Sequence, residues 1–357
     1  MRLFIGTYTT RKSAIPGTSG NGVMTCLFNS GGGYFSHLQM CADVVDPSWL
    51  QLADDQQHLF VASERLEQAG EVFGFSVDAG GGLTLVSSQS SQGLATCHLT
   101  TTDTHLYATS YLDGRLSAYT RDGGCLKAAQ SVIQYSGNGP NLERQKSAHA
   151  HQAVVSPNGR WLYVCDLGSD CIRLHSLRNG VPTHIQDIEV GLGFGPRHMV
   201  FHPSKPLAWC VCELTPVVLS FGWNEDTGRL HLLQTFKLLD CLEFEGFGAA
   251  AAIHLHPSAR LLGISDRAAD SICLCTVGET GALASLQRIR SEGRVPRDFA
   301  FTPDGRWLII AYQDSNSLTS HSIAEDLTVS TVPTDRVIVN SPVCISIFNE
   351  LPLSHPS

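Results

Sequence analysis

The chain has 357 residues, 43% of them apolar and only 16% charged, with 33 glycines and a net charge of −9. That length supplies a large core, and the acidic balance argues against a nucleic-acid surface, so an anionic ligand would have to be met by local positive charge. Few charges and many glycines point to short strands and tight turns rather than long surface helices.

In chain order, RLFIGTYTT reads as a strand that turns polar too soon for a signal peptide. No apolar run approaches the roughly 18 residues of a membrane span. The expectation is a cytoplasmic protein without a membrane or nucleic-acid partner, a monomer or weak homodimer. Residues Arg11 to Gly33 are Gly/Ser-rich and read as a loop in the first unit. LADDQQHLFVASE from Leu52 and TTDTHLYATSYLDGRLSAYT from Thr101 then share a frame that becomes plain downstream. That frame recurs in SPNGRWLYVCDLGSDCIRLHSL from Ser156 and HPSKPLAWCVCELTPVVLSF from His202. It recurs again in HPSARLLGISDRAADSICLCTV from His256 and TPDGRWLIIAYQDSNSLTSHSI from Thr302.

Each copy has a strand, a turn, an apolar strand, a polar loop and an alternating strand, with a shorter fourth strand after it. Aligning Leu59, Leu106, Leu162, Ala208, Leu262 and Leu308 gives spacings of 46 to 56 residues. About four strands at that period mark a β-propeller. Leu3 supplies a seventh second strand, and SPVCISIF at 341–348 its missing first strand. The fold expected is therefore all-β, one seven-bladed propeller domain over residues 1–357, closed between the N- and C-terminal strands. Residues 136–148 and 240–248 read as longer connections between blades that rim a pocket.

In a propeller the first strand of each blade lines the central channel. The residue six before the turn proline, or its aligned equivalent, gives the series Val343, Ser48, Thr96, His151, Arg197, Ala251 and Arg297. Five residues after the matched apolar position lie Tyr8, Glu64, Tyr111, Leu167, Glu213, Arg267 and Gln313. Arg197 and Glu213 each lie eight residues from Lys205, so a regular hairpin would set them face to face. The two rings bring His151, Arg197, Arg267, Arg297, Glu213 and Glu64 together at one channel mouth. Guanidinium forks there suit a carboxylate or phosphate. Tyr111, Gln313 and His149 join them as ligand contacts; His149 shares a strand face with His151, and one of the two stands behind the other.

The other polar residues read as structure. His198, His202, His254 and His256 serve packing or turns, Asp166 and Asp170 cap a loop, and PNG and PDG are turn chemistry. The CxC pairs Cys210/Cys212 and Cys273/Cys275 lack a second pair at zinc spacing and read as buried thiols. No metal or cofactor is expected.

GPRHMVFHP at 195–203 followed by CEL, SAHAHQAVVSP at 147–157, AAAIHLHP at 250–257, ISDR at 264–267 and VPRDFAFTPDGRWLIIAYQ at 295–313 resemble the bacterial seven-bladed propeller 6-phosphogluconolactonases. The resemblance covers blades four to seven strongly and blades one to three only faintly, beyond GTYT at 6–9. It departs at Cys212 and Asp266, where relatives often carry Asn. The superfamily includes a fungal enzyme that closes carboxy-cis,cis-muconate to a lactone. The resemblance implies catalytic roles for His151, Arg197, Glu213 and Arg267. It also implies a lactonase opening 6-phosphoglucono-δ-lactone, in the pentose phosphate pathway, on a small anionic sugar lactone. Two alternatives stand beside it: a muconate-type cycloisomerase or another sugar lactonase, and a non-enzymatic scaffold, which would present a neutral or apolar mouth.

Overall fold

The computed structural model describes residues 1–10, 19–238, 249–290 and 293–349. Among these, the strands form seven four-stranded antiparallel sheets, each one blade. Blade one runs Pro342–Phe348, Arg2–Thr7, Val23–Asn29, Tyr34–Ala42, so the C-terminal strand is the innermost of the N-terminal blade. Its register, from Arg2 opposite Phe348 to Thr7 opposite Pro342, is the closure expected from the repeat. Every innermost strand touches the innermost strands of both neighbouring blades, which completes the ring.

The second strands, such as Leu207–Cys212 and Trp307–Tyr312, are buried on both faces, and their sequences LAWCVC and WLIIAY are accordingly continuous apolar runs. The fourth strands alternate, as in Leu83–Ser90, because one face meets solvent. The core lies between blades. Trp209 and Val211 of blade five, for example, meet Ile253 and Ile264 of blade six. Equivalent clusters sit at the other junctions.

One expectation is corrected here. The Gly/Ser-rich loop from Arg11 to Gly33 contains the strand Val23–Asn29, which pairs on both sides within blade one. VMTCLFN is a good strand, and the glycines on either side of it mark its ends. Residues 11–18 of that stretch, and the connection at 240–248, lie outside the described residues.

Two repeated devices position the site. After each second strand one residue donates its N–H to the carbonyl of the residue that precedes the inner strand. The pairs are Tyr8 to Ser341, Glu64 to Asp46, Tyr111 to Ala95, Leu167 to His149, Glu213 to Gly195, Arg267 to Ala249 and Gln313 to Val295, at 2.8–3.1 Å. These donors are the second ring read from the sequence. Five of the acceptors hold left-handed backbone: Asp46, Ala95, Gly195, Val295 and Ser341 have φ of 45°, 54°, 64°, 57° and 47°. That conformation is strained for a β-branched residue such as Val295. Side chains of the preceding blade pin the corners: Asp170 accepts from Gly195 N at 2.8 Å, Asp270 from Val295 N at 2.6 Å, and Asn316 from Ser341 N at 2.8 Å.

The second device is a register shift one residue into each inner strand. In blade five Pro196 pairs with Cys212 and His198 with Val211, leaving Arg197 unpaired. The same shift frees Ser48, Cys97, His151 and Arg297 from the ladder. A bulge of this kind turns a side chain out of the sheet's alternation. Arg197 and Glu213 are therefore not opposed in a regular ladder, as the sequence spacing implied. Glu213 stands opposite Gly195, and the bulge swings Arg197 into the channel.

Candidate active site

At one mouth of the channel a cavity of about 230 Å³ is lined by Glu64, Tyr111, Arg144, His151, Arg197, Glu213, Arg267 and Arg297, with Cys97 among the remaining wall residues. Four guanidiniums thus face two carboxylates, an excess of two positive charges in an otherwise acidic protein. The neutral mouth required of a scaffold is not what the chain builds. Of the residues singled out from sequence, His149 and Gln313 do not line the cavity. His149 donates through Nδ1 to the Tyr111 carbonyl at 2.8 Å and stacks on the Tyr111 ring at 4.5 Å, so it positions Tyr111. Gln313 turns aside to Asp314 at 3.2 Å.

Besides the apolar Leu66, Ala95 and Leu112, two wall residues with reactive or charged side chains escaped the sequence reading. Arg144 lies in the 136–148 connection, outside the repeat frame, where only the rim itself was foreseeable. Cys97 replaces Thr96 in the inner ring, because the blade-three turn is shorter than the proline-bearing turns and the count slips by one.

Glu213 is the hub. Its carboxylate lies 2.6 Å from Arg144 Nη2, 2.8 Å from Arg197 Nε and 3.0 Å from Arg267 Nη2, and its side chain is only 4% exposed. Burial alone would raise its pKa, but Arg267, Arg197 and Arg144 together hold it down to about 2. Arg197 responds differently. Burial pushes its pKa down to about 9, and Arg267 and Arg297 add to that, with Glu213 opposing. Glu213 sees three cations, whereas Arg197 sees one carboxylate and two like charges. At neutral pH both stay ionised. Arg197 Nη1 is buried without a hydrogen-bond partner among the described residues.

Because the fold depresses the Glu213 pKa from 4.5 to about 2, its contribution to stability is fully present above about pH 4.5 and is lost as pH falls through about 2. The thermal unfolding temperature of the wild type should fall steeply over that window. In Glu213→Gln the slope there should flatten; an unchanged slope would show that Glu213 is not the group being titrated.

Across the cavity, Glu64 accepts from the Tyr8 hydroxyl at 2.8 Å and lies 3.8 Å from Arg297 Nη2. The Arg297 guanidinium sits 5.2 Å above the Tyr8 ring. Although burial works against its charge, Tyr8 and Glu64 hold Arg297 protonated. His151 occupies its bulge with its carbonyl bound by Thr109 Oγ1 at 3.0 Å and Cys97 Sγ at 3.2 Å. Burial, then Arg197, Arg297 and Arg267, keep its pKa well below 6.5, so the imidazole is neutral. Burial raises the Cys97 thiol to about 12, which leaves it protonated and a poor nucleophile.

The residues assigned to structure behave mostly so. His202 and His256 accept turn N–H groups, and Asp166 caps Gly168 N at 3.1 Å while pairing with Arg173 at 2.7 Å. The cysteines described are nearly all buried. Among the described residues no cluster of His, Cys, Asp and Glu has the arrangement of a metal site, and no helix is long and apolar enough to cross a membrane.

Across residues 2–347 the chain matches the family described as "Lactonase, 7-bladed beta-propeller". It is 26% identical over 353 residues to a protein of Bacillus subtilis (strain 168) named 6-phosphogluconolactonase, covering 98% of each chain. It is 28% identical over 329 residues to a Formosa agariphila protein of the same name, covering 88% of this chain and 90% of the relative. The solved structure of the periplasmic gluconolactonase of Pseudomonas aeruginosa superposes with a TM-score of 0.89 at 27% identity, covering 98% of this chain and 99% of that one.

Proposed function

The chain belongs to the seven-bladed β-propeller lactonase family, and from that premise we propose that it hydrolyses 6-phosphoglucono-δ-lactone to 6-phosphogluconate. The observation that carries this reading is the excess of two positive charges around the cavity, which matches a phosphate monoester dianion. With that substrate the enzyme serves the pentose phosphate pathway in the cytoplasm.

In this reading a water molecule attacks the lactone carbonyl and gives its proton to His151, the uncharged imidazole at the cavity wall. Glu213 is too weak a base for that step with three guanidiniums on its oxygens; it holds Arg197 and Arg267 in place. Those two arginines stabilise the tetrahedral oxyanion, and Arg197 Nη1, without a hydrogen-bond partner among the described residues, supports that assignment. Arg297 and Arg144 take the phosphate, with Tyr111 and Glu64 orienting the ring hydroxyls.

Freshly generated 6-phosphogluconolactone mixed with purified protein should release acid faster than it does spontaneously, and faster than unphosphorylated gluconolactone does with the same enzyme. No acceleration at micromolar enzyme would overturn the assignment. Arg144 is 37% exposed and reaches in from a connection. Arg144→Ala should raise KM for the phosphorylated lactone about tenfold, the equivalent of one charge-assisted hydrogen bond of about 1.5 kcal/mol, with kcat little changed. A KM unchanged in that variant would remove Arg144 from the phosphate site.

A second reading, lactone formation on a muconate bearing three carboxylates, draws on the same surplus of positive charge. Turnover of carboxymuconate without turnover of the sugar lactone would favour it.

A further inference from the structure

Below the catalytic mouth the channel holds a second tier of titratable side chains that lactone hydrolysis, as described, does not use. Residues that follow three of the bulges belong to it: His98, His198 and Asp298 follow Cys97, Arg197 and Arg297. The His151 and His198 rings meet edge to face at 5.0 Å between centroids, and His198 and His98 do so at 5.6 Å. Trp49 closes the side of this stack, 4.1 Å from His98 and 5.4 Å from His198. Nearer the opposite mouth, His254 Nε2 lies 2.8 Å from Asp298 Oδ1. The His254 side chain is 34% exposed and that of Asp298 only 3%.

Two features make this more than histidine packing. First, His98 Nδ1 and His198 Nε2 are buried and have no hydrogen-bond partner among the described residues. Orphan ring nitrogens in a channel are costly unless water reaches them. Second, the charge is graded. The upper mouth is ringed by guanidiniums, whereas the lower tier carries the buried carboxylate Asp298, whose other oxygen accepts from Ile345 N at 2.9 Å. A proton at His151 is repelled by Arg197, Arg297 and Arg267, and the lower tier holds a carboxylate where the mouth holds guanidiniums.

We propose that His151, His198 and His98, bridged by channel water, form a proton relay that drains the catalytic mouth toward the Asp298–His254 pair and the opposite face of the propeller. The proposal rests on the hydrolase reading. Hydrolysis places the water oxygen on the carbonyl carbon and breaks the bond to the ring oxygen. One water proton ends on the freed hydroxyl, and the other is released when the product acid ionises. Each turnover thus leaves one proton in a mouth that electrostatics makes hostile to it. Burial and Arg197 keep both His98 and His198 neutral, and His254 lowers both rings further, so each holds the proton only in passing.

His198→Phe keeps the ring volume and removes the nitrogens. In weakly buffered solution its kcat should fall about tenfold or more, with KM unchanged. Added imidazole, which reaches His151 from the open mouth, should restore the rate, while the wild type should ignore buffer concentration. Asp298→Asn should show the same buffer dependence. His254→Phe, at a partly exposed position, carries the test if the buried substitution does not fold. Wild-type kcat in folded variants at low buffer would overturn the relay. If the wild type hydrolyses no lactone, the hydrolase reading fails by itself, and the relay is still read by nitrogen NMR of labelled histidines. Rapid exchange of the His98 and His198 ring N–H protons with solvent supports it, and protection like that of core amides overturns it.

Discussion

Arg197→Ala should lower kcat about a hundredfold or more, the usual cost of losing one oxyanion donor. Arg197 is suited to that role because its side chain is 2% exposed and fixed in a bulge, so its N–H groups need no reorganisation during the reaction. The fold should survive the substitution. Glu213 keeps Arg144 at 2.6 Å and Arg267 at 3.0 Å, and so remains paired. KM should move less than kcat, because the interaction strengthens as charge develops on the carbonyl oxygen. Steady-state kinetics with the phosphorylated lactone check this. A loss smaller than about tenfold would make the Arg197–Glu213 contact an architectural ion pair rather than part of the chemistry.

Glu213→Gln should act chiefly on stability. The substitution preserves shape but removes the one charge shared by three guanidiniums, two of them on strands or strand ends deep in the mouth. Breaking a buried pair from one side costs about 3–5 kcal/mol, since it leaves cations unpaired in a poorly solvated place. Denaturant unfolding measures the loss. Inorganic phosphate should stabilise this variant more than the wild type, because an anion can take the vacated place. An unfolding midpoint equal to that of the wild type, or equal effects of phosphate on the two proteins, would show that Glu213 does not hold the cluster.

The ring of second-strand ends was readable before any coordinates because it depends only on counting. Tyr8, Glu64, Tyr111, Glu213 and Arg267 share one backbone hydrogen bond per blade, and the repeat carries that bond unchanged. Closure was readable for the same reason, since six complete copies leave one inner strand at the C-terminus and three strands at the N-terminus. The inner ring was readable wherever a turn proline set the count, and failed at Thr96, where the shorter turn moved Cys97 into place. Gln313 obeyed the count and still missed the cavity, because its side chain found Asp314 at 3.2 Å. Backbone position repeats from blade to blade; side-chain direction does not.

What the sequence alone determined is the period and the polarity: four strands per unit, a closed ring, and arginines, a glutamate and a histidine in register at one mouth. These follow from local hydrogen-bond geometry and from apolar runs that must be buried on both faces. The tertiary structure alone decided three things. It turned an apparent Arg197–Glu213 hairpin pair into a hub of three guanidiniums, one of which, Arg144, arrives from a connection with no repeat to announce it. It set three cations within hydrogen-bond distance of Glu213, which hold that carboxylate ionised in spite of its burial. It also drew histidines from different blades into one channel, where residues far apart in the chain become neighbours only when the ring closes.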